Sequence, residues 1–490
     1  AEQEYFLVPK ELYKERKDLV FCGRTLLGAP APKGQEMEDH YFGALKPRVA
    51  AYMHDLDVEL WKLGIPAKTK HNEVAPAQHE LAPVFDTTNV AVDHNQLTME
   101  VMKKVADKHG LVCLLHEKPF EGINGSGKHN NWSIATNDGQ NLLNPGSTPM
   151  ENLQFLTFLC AVIKGVDEYA DLLRISAASA ANDHRLGANE APPAIISIFM
   201  GEELQGVLDA LVSGDTYTSQ SMTFKIGVDA LPDFPKDSTD RNRTSPFAFT
   251  GNRFEFRMVG SSENIACPNH MLNTIVASEL SDIADKMEKV PADQFKDELK
   301  KLLAEIVKEH KRVIFNGDGY SDAWVEEAAE RGLPNYKTTA DCVPHYADEK
   351  NVKLFEKFGI FSKAEIEARV EILLESYSKT INIEALTMID MAKKKYIPAC
   401  LTYSKELADA IAVKKSIDVC TCVEKDLVKK VTEETEKAYD AVQKLEEVTA
   451  VAAAKTCMQE MANAYRDTVL PVMDELRKAV DALEVLLPST

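Results

Sequence analysis

Short runs of alternating apolar and polar positions mark the first part of the chain. Tyr5 to Val8 and Phe254 to Met258 are two such runs, and loops rich in Gly and Pro separate them from stretches with helical spacing. A period of two is typical of a strand with one buried face. Up to about residue 275 the pattern therefore predicts an α+β fold.

The spacing of apolar residues becomes helical from Ser278 onward, with breaks at residues 316–319 and from Gly332 to Pro344. Ser362 and Glu365 have the spacing of a capping box, which predicts that a helix begins there. The spacing therefore predicts that helices dominate the second half of the chain.

The last stretch repeats apolar residues at near-heptad intervals in two blocks. This pattern predicts two helices folded back on each other as an antiparallel hairpin, used for packing or assembly rather than for catalysis. The first block is Val428, Val431, Ala438, Val442, Leu445 and Ala452, and the second is Met461, Tyr465, Val469, Val472, Leu476, Val480 and Leu483.

Composition and charge narrow the class of protein. The chain has 490 residues, 44% of them hydrophobic and 27% charged, which is ordinary for a folded protein with a large core. With 56 Lys and Arg against 77 Asp and Glu, its net charge of -21 disfavours nucleic acid or an anionic membrane as a general partner. Apolar runs such as Leu153 to Ile163 are too short to span a bilayer. We therefore expect a cytoplasmic protein.

Nine cysteines are scattered along the sequence. The closest pair, Cys420 and Cys422, lacks the CxxC spacing of zinc and redox motifs. The spacing favours reduced, mostly buried thiols over a zinc site or a disulfide framework.

The first candidate site lies at the start of the chain, where Glu2 and Glu4 precede a strand-like run. On a strand both carboxylates would share one face, and like charges at that distance favour a bound cation. A solvated strand face would explain the same pattern. Two further acids, Glu73 and Glu80, lie in an apolar segment that contains Pro, where a buried carboxylate is costly unless it is paired or bound to metal.

A loop rich in glycine spans Asn124 to His129. Its glycines would let main-chain N–H groups approach an anion, although most such loops are only turns. The order of residues is neither that of a P-loop nor that of a dinucleotide-binding fingerprint. Lys128 could contact phosphate, but we expect it to be solvated.

Arginines and acids alternate in the segments Asp240 to Arg243 and Arg253 to Arg257. In the second segment Arg253, Glu255 and Arg257 would share one face of a strand, with Phe254 and Phe256 on the other. A ladder of salt bridges between strands would explain this pattern. Phosphoryl transfer would explain it too, because guanidinium groups hold anionic oxygens and divalent cations bridge carboxylates to phosphate.

Taken in order, these segments resemble the glutamine synthetase family over roughly residues 1–280. The paired glutamates, the segment with Glu73 and Glu80, the Asn124 to His129 loop and the Arg253 to Arg257 strand all match its motifs. Arg185 to Pro192 looks like the family's flap. The segments Lys70 to Pro83 and Gly34 to Gly43 and the helical C-terminal extension resemble the large type III members.

The resemblance implies an enzyme of nitrogen assimilation that joins ammonia to glutamate at the expense of ATP, through a γ-glutamyl phosphate. It implies two or more Mg²⁺ or Mn²⁺ ions, one held by Glu4, Glu73 and Glu80 and the other by Glu2, His129 and Glu255. It further implies glutamate binding by Asn124, Gly125, Arg185 and Arg257, nucleotide binding by Ser133, Arg243 and Arg253, and catalytic roles for Glu190 and Arg243.

The resemblance also implies an architecture. We expect an α+β fold with an antiparallel active-site barrel surrounded by helices, in a catalytic domain over residues 1–345 with an insertion at about 201–236. A helical region over residues 346–490 follows. The family forms homo-oligomers of stacked rings with active sites between subunits, and a small N-terminal domain supplies an aspartate to the neighbour. That domain is not in this sequence, so we expect a fragment that turns over slowly, if at all, by itself.

One departure and two alternatives accompany this interpretation. Ala248 stands where commoner members have a further arginine. A related ATP-dependent phosphotransferase or ligase, such as a guanidino kinase or a γ-glutamyl-amine ligase, could use the same strands and would differ in its substrate. A non-catalytic scaffold would have lost several metal ligands, yet all six are present.

Overall fold

The computed structural model describes residues 1–217 and 242–488, together with two short strands between them. Asp240 and much of the predicted insertion at 201–236 lie outside the described residues. The strands are β1 (Gln3–Pro9), β2 (Ala67–Asn72), β3 (Gln78–Pro83), β4 (Leu111–Leu114), β5 (Gly127–Trp132), β6 (Ile198–Phe199), β7 (Thr223–Phe224), β8 (Phe234–Pro235), β9 (Phe247–Phe249) and β10 (Phe254–Gly260).

Helices make up most of the described chain. They are α1 (Lys10–Glu15), α2 (Lys17–Cys22), α3 (Pro47–Lys62), α4 (Thr88–Lys108), α5 (Leu153–Glu168), α6 (Ala170–Ile175), α7 (Ala180–Asp183), α8 (Gly201–Ser213), α9 (Ala266–Met287), α10 (Phe295–His310), α11 (Asp322–Glu330), α12 (Thr339–Cys342), α13 (Glu349–Lys357), α14 (Lys363–Met391), α15 (Ile397–Ser416), α16 (Cys422–Ala453), α17 (Met458–Ala464) and α18 (Leu470–Leu486). Of the helices described, none combines the length and apolar character needed to cross a membrane.

Two four-stranded sheets carry the segments singled out in the sequence. The first has the order β2-β3-β1-β4 and is antiparallel throughout. The second has the order β5-β10-β9-β6, with β6 parallel to β9. The α+β prediction agrees with this mixture of helices and sheets. The two sheets do not close into a barrel within the described residues, so the closed barrel stays a prediction.

Each sheet buries an apolar face against helices. Tyr5 and Leu7 of β1 pack with residues of α3 and α4 in one cluster. On β9 and β10, Phe247 and Phe254 stack with ring centroids 4.6 Å apart, inside a larger core that α5 and α9 also enter. Burial of these aromatic faces leaves the opposite, charged faces of the strands for a pocket.

The C-terminal helices pack onto the region that holds the sheets. The helix α14 begins at the predicted capping box, where Ser362 and Glu365 hydrogen-bond reciprocally, so that prediction is confirmed. Two π-helical turns precede α15 and α18, each just ahead of Pro398 or Pro471. Proline lacks an N–H and crowds the carbonyl four residues earlier, so the wider turn relieves that clash.

The helices α16 and α18 lie along each other. Their buried residues include Val431, Val442, Leu476 and Val480, which come from the two near-heptad blocks. Arg24, just after α2, donates two 2.7 Å hydrogen bonds to Glu384 of α14, and both side chains are buried. One hydrophobic core therefore runs through both parts of the chain.

Candidate active site

A pocket opens where the two sheets meet. The N–H of Glu2 donates to the carbonyl of His129 at 3.1 Å, so the start of β1 lies beside β5 although they belong to different sheets. The cavity has a volume of about 250 Å³. It is lined by Glu2, Glu4, Tyr41, His71, Glu73, Glu80, Ala82, His129, Glu190, Arg243, Glu255 and Arg257.

Glu2, His129 and Glu255 form one cluster in this pocket, with ligand atoms within 4.8 Å of one another. The Nδ1 atom of His129 lies 3.1 Å from Glu2 Oε2 and 2.9 Å from Glu255 Oε1. His129 is on β5 and Glu255 on the adjacent strand β10, where Glu255 pairs with Asn131. The cluster thus comes from three segments that are distant in sequence.

Hydrogen bonding decides the charges in this cluster. Burial opposes the imidazolium of His129, but hydrogen bonds to Glu2 and Glu255 raise its pKa well above the usual value. Burial would also raise the pKa of Glu255, yet the hydrogen bond and charge of His129 hold that pKa far below its usual range. The two carboxylates are therefore ionised at neutral pH, as metal ligands must be.

Glu4, Glu73 and Glu80 line the same pocket in two overlapping clusters. One consists of His71, Glu73 and Glu80, and the other of Glu4, Glu73 and Glu190. The register of β1 and β3 pairs Glu4 directly with Glu80. Glu73 belongs to both clusters, so the five side chains form one continuous surface. We call this surface the acidic wall; it consists of Glu4, His71, Glu73, Glu80 and Glu190.

The crowded acids of this wall hold protons that isolated carboxylates would release at neutral pH. Burial, followed by the charges of Glu4 and Glu80, raises the pKa of Glu73 to about 9. Burial likewise raises the pKa of Glu4 to about 7. A hydrogen bond to Glu80, with Nε2 and Oε2 2.7 Å apart, raises the pKa of His71 to about 9. The pocket therefore holds protons tightly and would attract other cations for the same reason.

The donor atoms suit hard divalent cations. Five carboxylates and one imidazole converge, and carboxylate oxygen is the ligand that such ions prefer. None of the nine cysteines lines the part of the pocket that the structure describes. Since Glu4 and Glu73 are buried beside like charges, a bound cation would offset the free energy that their ionisation costs. The residues present thus fit divalent metal ions.

Glu190 and Arg243 lie together on the exposed side of the pocket. Arg243 Nη1 donates to Glu190 Oε1 at 2.7 Å, and 69% of the Arg243 side chain is exposed. Asn189 and Glu190 have φ values of 53° and 68°, the left-handed region that residues other than glycine seldom adopt. The loop that presents Glu190 is therefore held in an unusual backbone conformation.

Arg257 is the one predicted glutamate-binding residue that lines the pocket in the described chain. Asn124 is engaged with Gln35 through two 2.8 Å hydrogen bonds, and it is buried. The guanidinium of Arg185 donates to main-chain carbonyls, among them that of Arg257 at 3.3 Å. It lies against Gly127, where a Cβ would collide with it. Arg185 therefore contacts the strands that carry the pocket residues but is not among the side chains that line the pocket.

Gly125 likewise does not line the described pocket. Ser133 and Arg253 lie outside it too, but they are neighbours. Both are exposed. Trp132 and Phe254 pair at one end of the β5–β10 ladder, and Ser133 follows Trp132 where Arg253 precedes Phe254. That end of the sheet is therefore the shared position of two predicted nucleotide-binding residues.

Ala248, the position of the expected arginine, is fully buried on β9 and pairs with Glu255. Arg257 lies beside Glu255 instead, with Nη2 3.3 Å from Oε2. The prediction that Lys128 is solvated is wrong. Lys128 is fully buried, and its ammonium donates to the carbonyls of Gly260, Ser261 and Glu263.

Besides Ala82, the lining of the pocket includes two residues, His71 and Tyr41, that have no role in the sequence-based set. His71 lies near the end of β2, two residues before Glu73, which follows the strand, and this spacing could have identified it. Tyr41 comes from a segment that reaches the pocket only through tertiary contacts: His40 bonds to the Glu73 carbonyl at 2.7 Å, and Asn72 donates to the His40 carbonyl. No local pattern reveals such an approach.

Comparisons with known proteins agree with this site. The family model described as glutamine synthetase, catalytic domain, matches residues 1–197, and the glutamine synthetase C-terminal domain model matches residues 298–415. A glutamine synthetase of Butyrivibrio fibrisolvens is 56% identical over all of this chain and 70% of its own length. A type-3 glutamine synthetase of Dictyostelium discoideum is 46% identical over 99% of this chain and 67% of its own.

A solved structure described as a GmaS/ADP complex is 16% identical over 77% of this chain and 68% of its own, with a TM-score of 0.43. That likeness is too weak to carry an argument. The family models and the two relatives decide the assignment, because their matches include the segments that hold Glu2, Glu4, Glu73, Glu80 and His129. The chain therefore belongs to the glutamine synthetase family, in its type III class, whose members make glutamine from glutamate and ammonia with ATP.

Proposed function

We propose that the pocket between the two sheets is the active site and that Mg²⁺ or Mn²⁺ ions bind there at two positions. Glu2, His129 and Glu255 hold one ion, and Glu4, Glu73 and Glu80 hold the other. The observation that carries this proposal is the convergence of all six side chains, from four separate segments, in one cavity of about 250 Å³.

The nucleotide extends out of this cavity along the β5–β10 end of the sheet. Pockets that enclose a whole ligand have volumes of about 300–1,000 Å³, so a cavity of about 250 Å³ suits the polyphosphate and glutamate but not the base as well. Arg243 holds the phosphates at the exposed side. Ser133 and Arg253 contact the remainder of the nucleotide, which their shared position at the end of the ladder supports.

Glutamate binds through Asn124, Gly125, Arg185 and Arg257. Arg257 is the member of this set that lines the described pocket, and its guanidinium also contacts Glu255 and the carbonyl of Asn242. Arg185 contributes through the carbonyl of Arg257, which fixes the strand from which Arg257 projects.

The reaction requires a carboxylate to become an electrophile. The side-chain carboxylate of glutamate attacks the γ-phosphorus of ATP, which releases ADP and gives γ-glutamyl phosphate. Bound divalent cations supply charge neutralisation for the phosphoryl oxygens. Arg243 adds hydrogen bonds to oxygens that gain charge in the transition state. Exclusion of water by the loop around Glu190 then protects the acyl phosphate from hydrolysis.

Ammonium must lose a proton before it can attack the acyl phosphate. The acidic wall attracts ammonium, and Glu190, which lies within 4.8 Å of Glu4 and Glu73 ligand atoms, accepts the proton. Ammonia then displaces phosphate from the acyl carbon and gives glutamine. Glu190 is well placed for this role because it lies at the exposed side, where ammonium enters.

Assembly completes the site in this proposal. The chain forms a homo-oligomer of stacked rings with active sites between subunits, and the neighbour closes the open pair of sheets into a barrel. Exposed apolar side chains close in sequence to the pocket residues Tyr41 and Ala82 support this, since Met37, Phe42 and Phe85 are 87%, 78% and 94% exposed. Residues 1–345 act as the catalytic domain and residues 346–490 as a helical support, with a hydrophobic core that crosses the boundary. A cytoplasmic location, where ATP and glutamate are present, belongs to the same proposal.

The test is a coupled assay of ADP release by the assembled enzyme with Mg²⁺, ATP, glutamate and ammonium. Glu255→Ala should lower the rate by about 100-fold or more, because one ion loses a ligand. Glu349→Ala on α13 removes a side chain that is 82% exposed and should leave the rate unchanged. Activity of Glu255→Ala equal to wild type would refute the metal assignment.

A second arm of the assay replaces ammonium with methylammonium. A glutamine-forming enzyme should release ADP much faster with ammonium at equal concentration. A preference for methylammonium would identify a γ-glutamyl-amine ligase instead.

A further inference from the structure

Cys420 and Cys422 form a close pair of thiols far from the active site in sequence. They lie at the connection between α15 and α16, and their Sγ atoms are 3.1 Å apart. The N–H of Cys422 also donates to Cys420 Sγ at 3.5 Å. Both side chains are exposed. Two thiols in contact and open to solvent can be joined as a disulfide by a small-molecule oxidant.

The other cysteines cannot compete for this pair within one chain. Cys457 is the third exposed thiol, but it follows the far end of α16, whose 32 residues span about 48 Å. Cys22 and Cys267 are half-buried, and the remaining cysteines are buried. Among the cysteines, Cys422 is therefore the exposed thiol that Cys420 contacts within the chain.

The connection holds the pair at the end of two packed helices. Lys414 of α15 forms an ion pair with Glu424 in the first turn of α16, which ties the two helix ends together. Thr421, between the two cysteines, is buried, whereas residues 415–420 are exposed. The thiols are thus presented to solvent from an anchored loop.

The local electrostatics favour Cys420 as the nucleophile. Hydrogen bonds from the side chain and the N–H of Cys422 lower the pKa of Cys420. The same contact raises the pKa of Cys422, which remains the protonated partner. A thiolate reacts with disulfides and a thiol does not, so the first attack belongs to Cys420.

We propose that Cys420 and Cys422 are a reversible thiol–disulfide site that reacts with small-molecule disulfides such as glutathione disulfide. The Cys420 thiolate attacks one sulfur of glutathione disulfide, forms a mixed disulfide and releases one glutathione thiolate. Cys422 then gives its proton to solvent, attacks the Cys420 sulfur and releases the second glutathione. Two protein thiols are oxidised to one disulfide, and one glutathione disulfide is reduced to two thiols.

Reversibility follows from the position of the pair. Cys422 is the first residue of α16 and only one residue separates it from Cys420, so a bond that draws the sulfurs from 3.1 Å to about 2 Å closes a small ring against the start of the helix. Strained and exposed disulfides are the readily reduced ones. The site therefore switches with the ratio of glutathione to its disulfide and does not act as a permanent crosslink.

The experiment uses the assembled enzyme, reduced and then equilibrated in glutathione buffers of increasing disulfide content. Free thiols are alkylated after an acid quench, and the peptide with both cysteines is analysed by mass spectrometry. The wild-type peptide should become lighter by the mass of two hydrogens and carry no glutathione adduct. Dithiothreitol should restore both thiols. Cys422→Ser should retain glutathione on Cys420, and Cys420→Ser should react several times more slowly.

Cys457→Ser is the matched control, because it removes an exposed thiol that is outside the pair. It should oxidise like wild type. The proposal is overturned if both thiols stay free in the most oxidising buffer, or if wild type keeps a glutathione adduct instead of losing two hydrogens. It is equally overturned if Cys457→Ser abolishes the oxidation, since the disulfide would then join other partners.

Discussion

Arg243 Nη1 donates a 2.7 Å hydrogen bond to Glu190 Oε1, which joins the loop after α7 to the segment before β9 across the exposed side of the pocket. Glu190 occupies the left-handed region of backbone conformation, and this ion pair is the side-chain contact that holds its carboxylate in place. A phosphate that binds Arg243 would compete with Glu190 for the guanidinium. The pair therefore couples the proposed nucleotide site to the proposed proton acceptor.

Replacement of Arg243 should impair catalysis more than folding. Arg243→Ala removes donors to the transferred phosphoryl group, and kcat should fall by roughly 10²–10³-fold. Arg243→Lys keeps the charge but not the planar, two-donor geometry of the guanidinium, so its kcat should lie between those of wild type and Arg243→Ala. The measurement is steady-state kinetics with ATP varied. Arg369→Lys on α14 is the control and should match wild type, and a similar kcat for Arg243→Ala would contradict the assignment.

The metal-free enzyme should lose stability as the pH rises from 6.5 to 8. The folded-state pKa values of Glu73 and His71 are both about 9, above the usual values of 4.5 and 6.5. A raised pKa means that the folded state binds more protons, so stability falls as pH rises toward 9. Glu73 alone could contribute up to about 2 kcal/mol over this range. The measurement is the melting temperature in EDTA at several pH values.

Most opposing contributions fall outside this pH range, although burial lowers the pKa of the Ala1 amino group from 8.0 and opposes the trend within it. Burial lowers the pKa of His79 to about 3, so His79 affects stability mainly below pH 6.5. Burial also lowers the pKa of Lys128 to about 8, so Lys128 affects stability mainly above pH 8. Saturating Mg²⁺ should remove most of the pH dependence, because the cation replaces the protons. Glu73→Gln should flatten the EDTA curve. An unchanged slope in that variant would show that other groups are responsible.

Lys128→Met should destabilise the protein strongly. The ammonium of Lys128 satisfies three main-chain carbonyls after β10, and its loss leaves buried polar groups unpaired. The expected cost is on the order of 3–5 kcal/mol, read as a lower midpoint in urea unfolding. Lys301→Met removes a side chain that is 68% exposed on α10 and serves as the control. Equal midpoints for the two variants would refute a structural role for Lys128.

Ser362→Ala should weaken the start of α14 without affecting catalysis. Ser362 accepts the N–H of Glu365, and Glu365 accepts the N–H and hydroxyl of Ser362. Loss of such a cap costs about 1 kcal/mol, and faster hydrogen exchange in the first turn of α14 should report it. Ser376→Ala in the same helix is the matched control. If both variants exchange alike, the cap contributes nothing measurable.

Local patterns predicted the parts of the site whose residues are close in sequence. Alternation on β1 and β10 placed Glu4, Glu255 and Arg257 on strands, and all three line the pocket. The family and the reaction followed from the order of the motifs, and the comparisons confirm both. The capping box required only the identities of two residues three positions apart.

Contacts between distant segments could not be predicted in this way. Lys128 comes from a glycine-rich segment that suggests an exposed loop, yet it lies on β5 and is buried because the end of β10 and the turn after it bring three carbonyls together around it. Arg185 packs against β5 because Gly127 leaves room for its guanidinium. Tyr41 reaches the pocket through the hydrogen bonds of His40 and Asn72. Each depends on packing that no sequence period encodes.

The buried pair of Arg24 and Glu384 sets a limit on how the molecule can be dissected. The pair ties a residue near the first sheet to the middle of α14, and apolar residues from Leu26 to Leu483 share one core. A protein cut between α13 and α14 would lose the anion that pairs with Arg24, and it would expose the apolar surface that α14 to α18 now cover. The pocket and the distant helices should consequently melt together, as one cooperative transition.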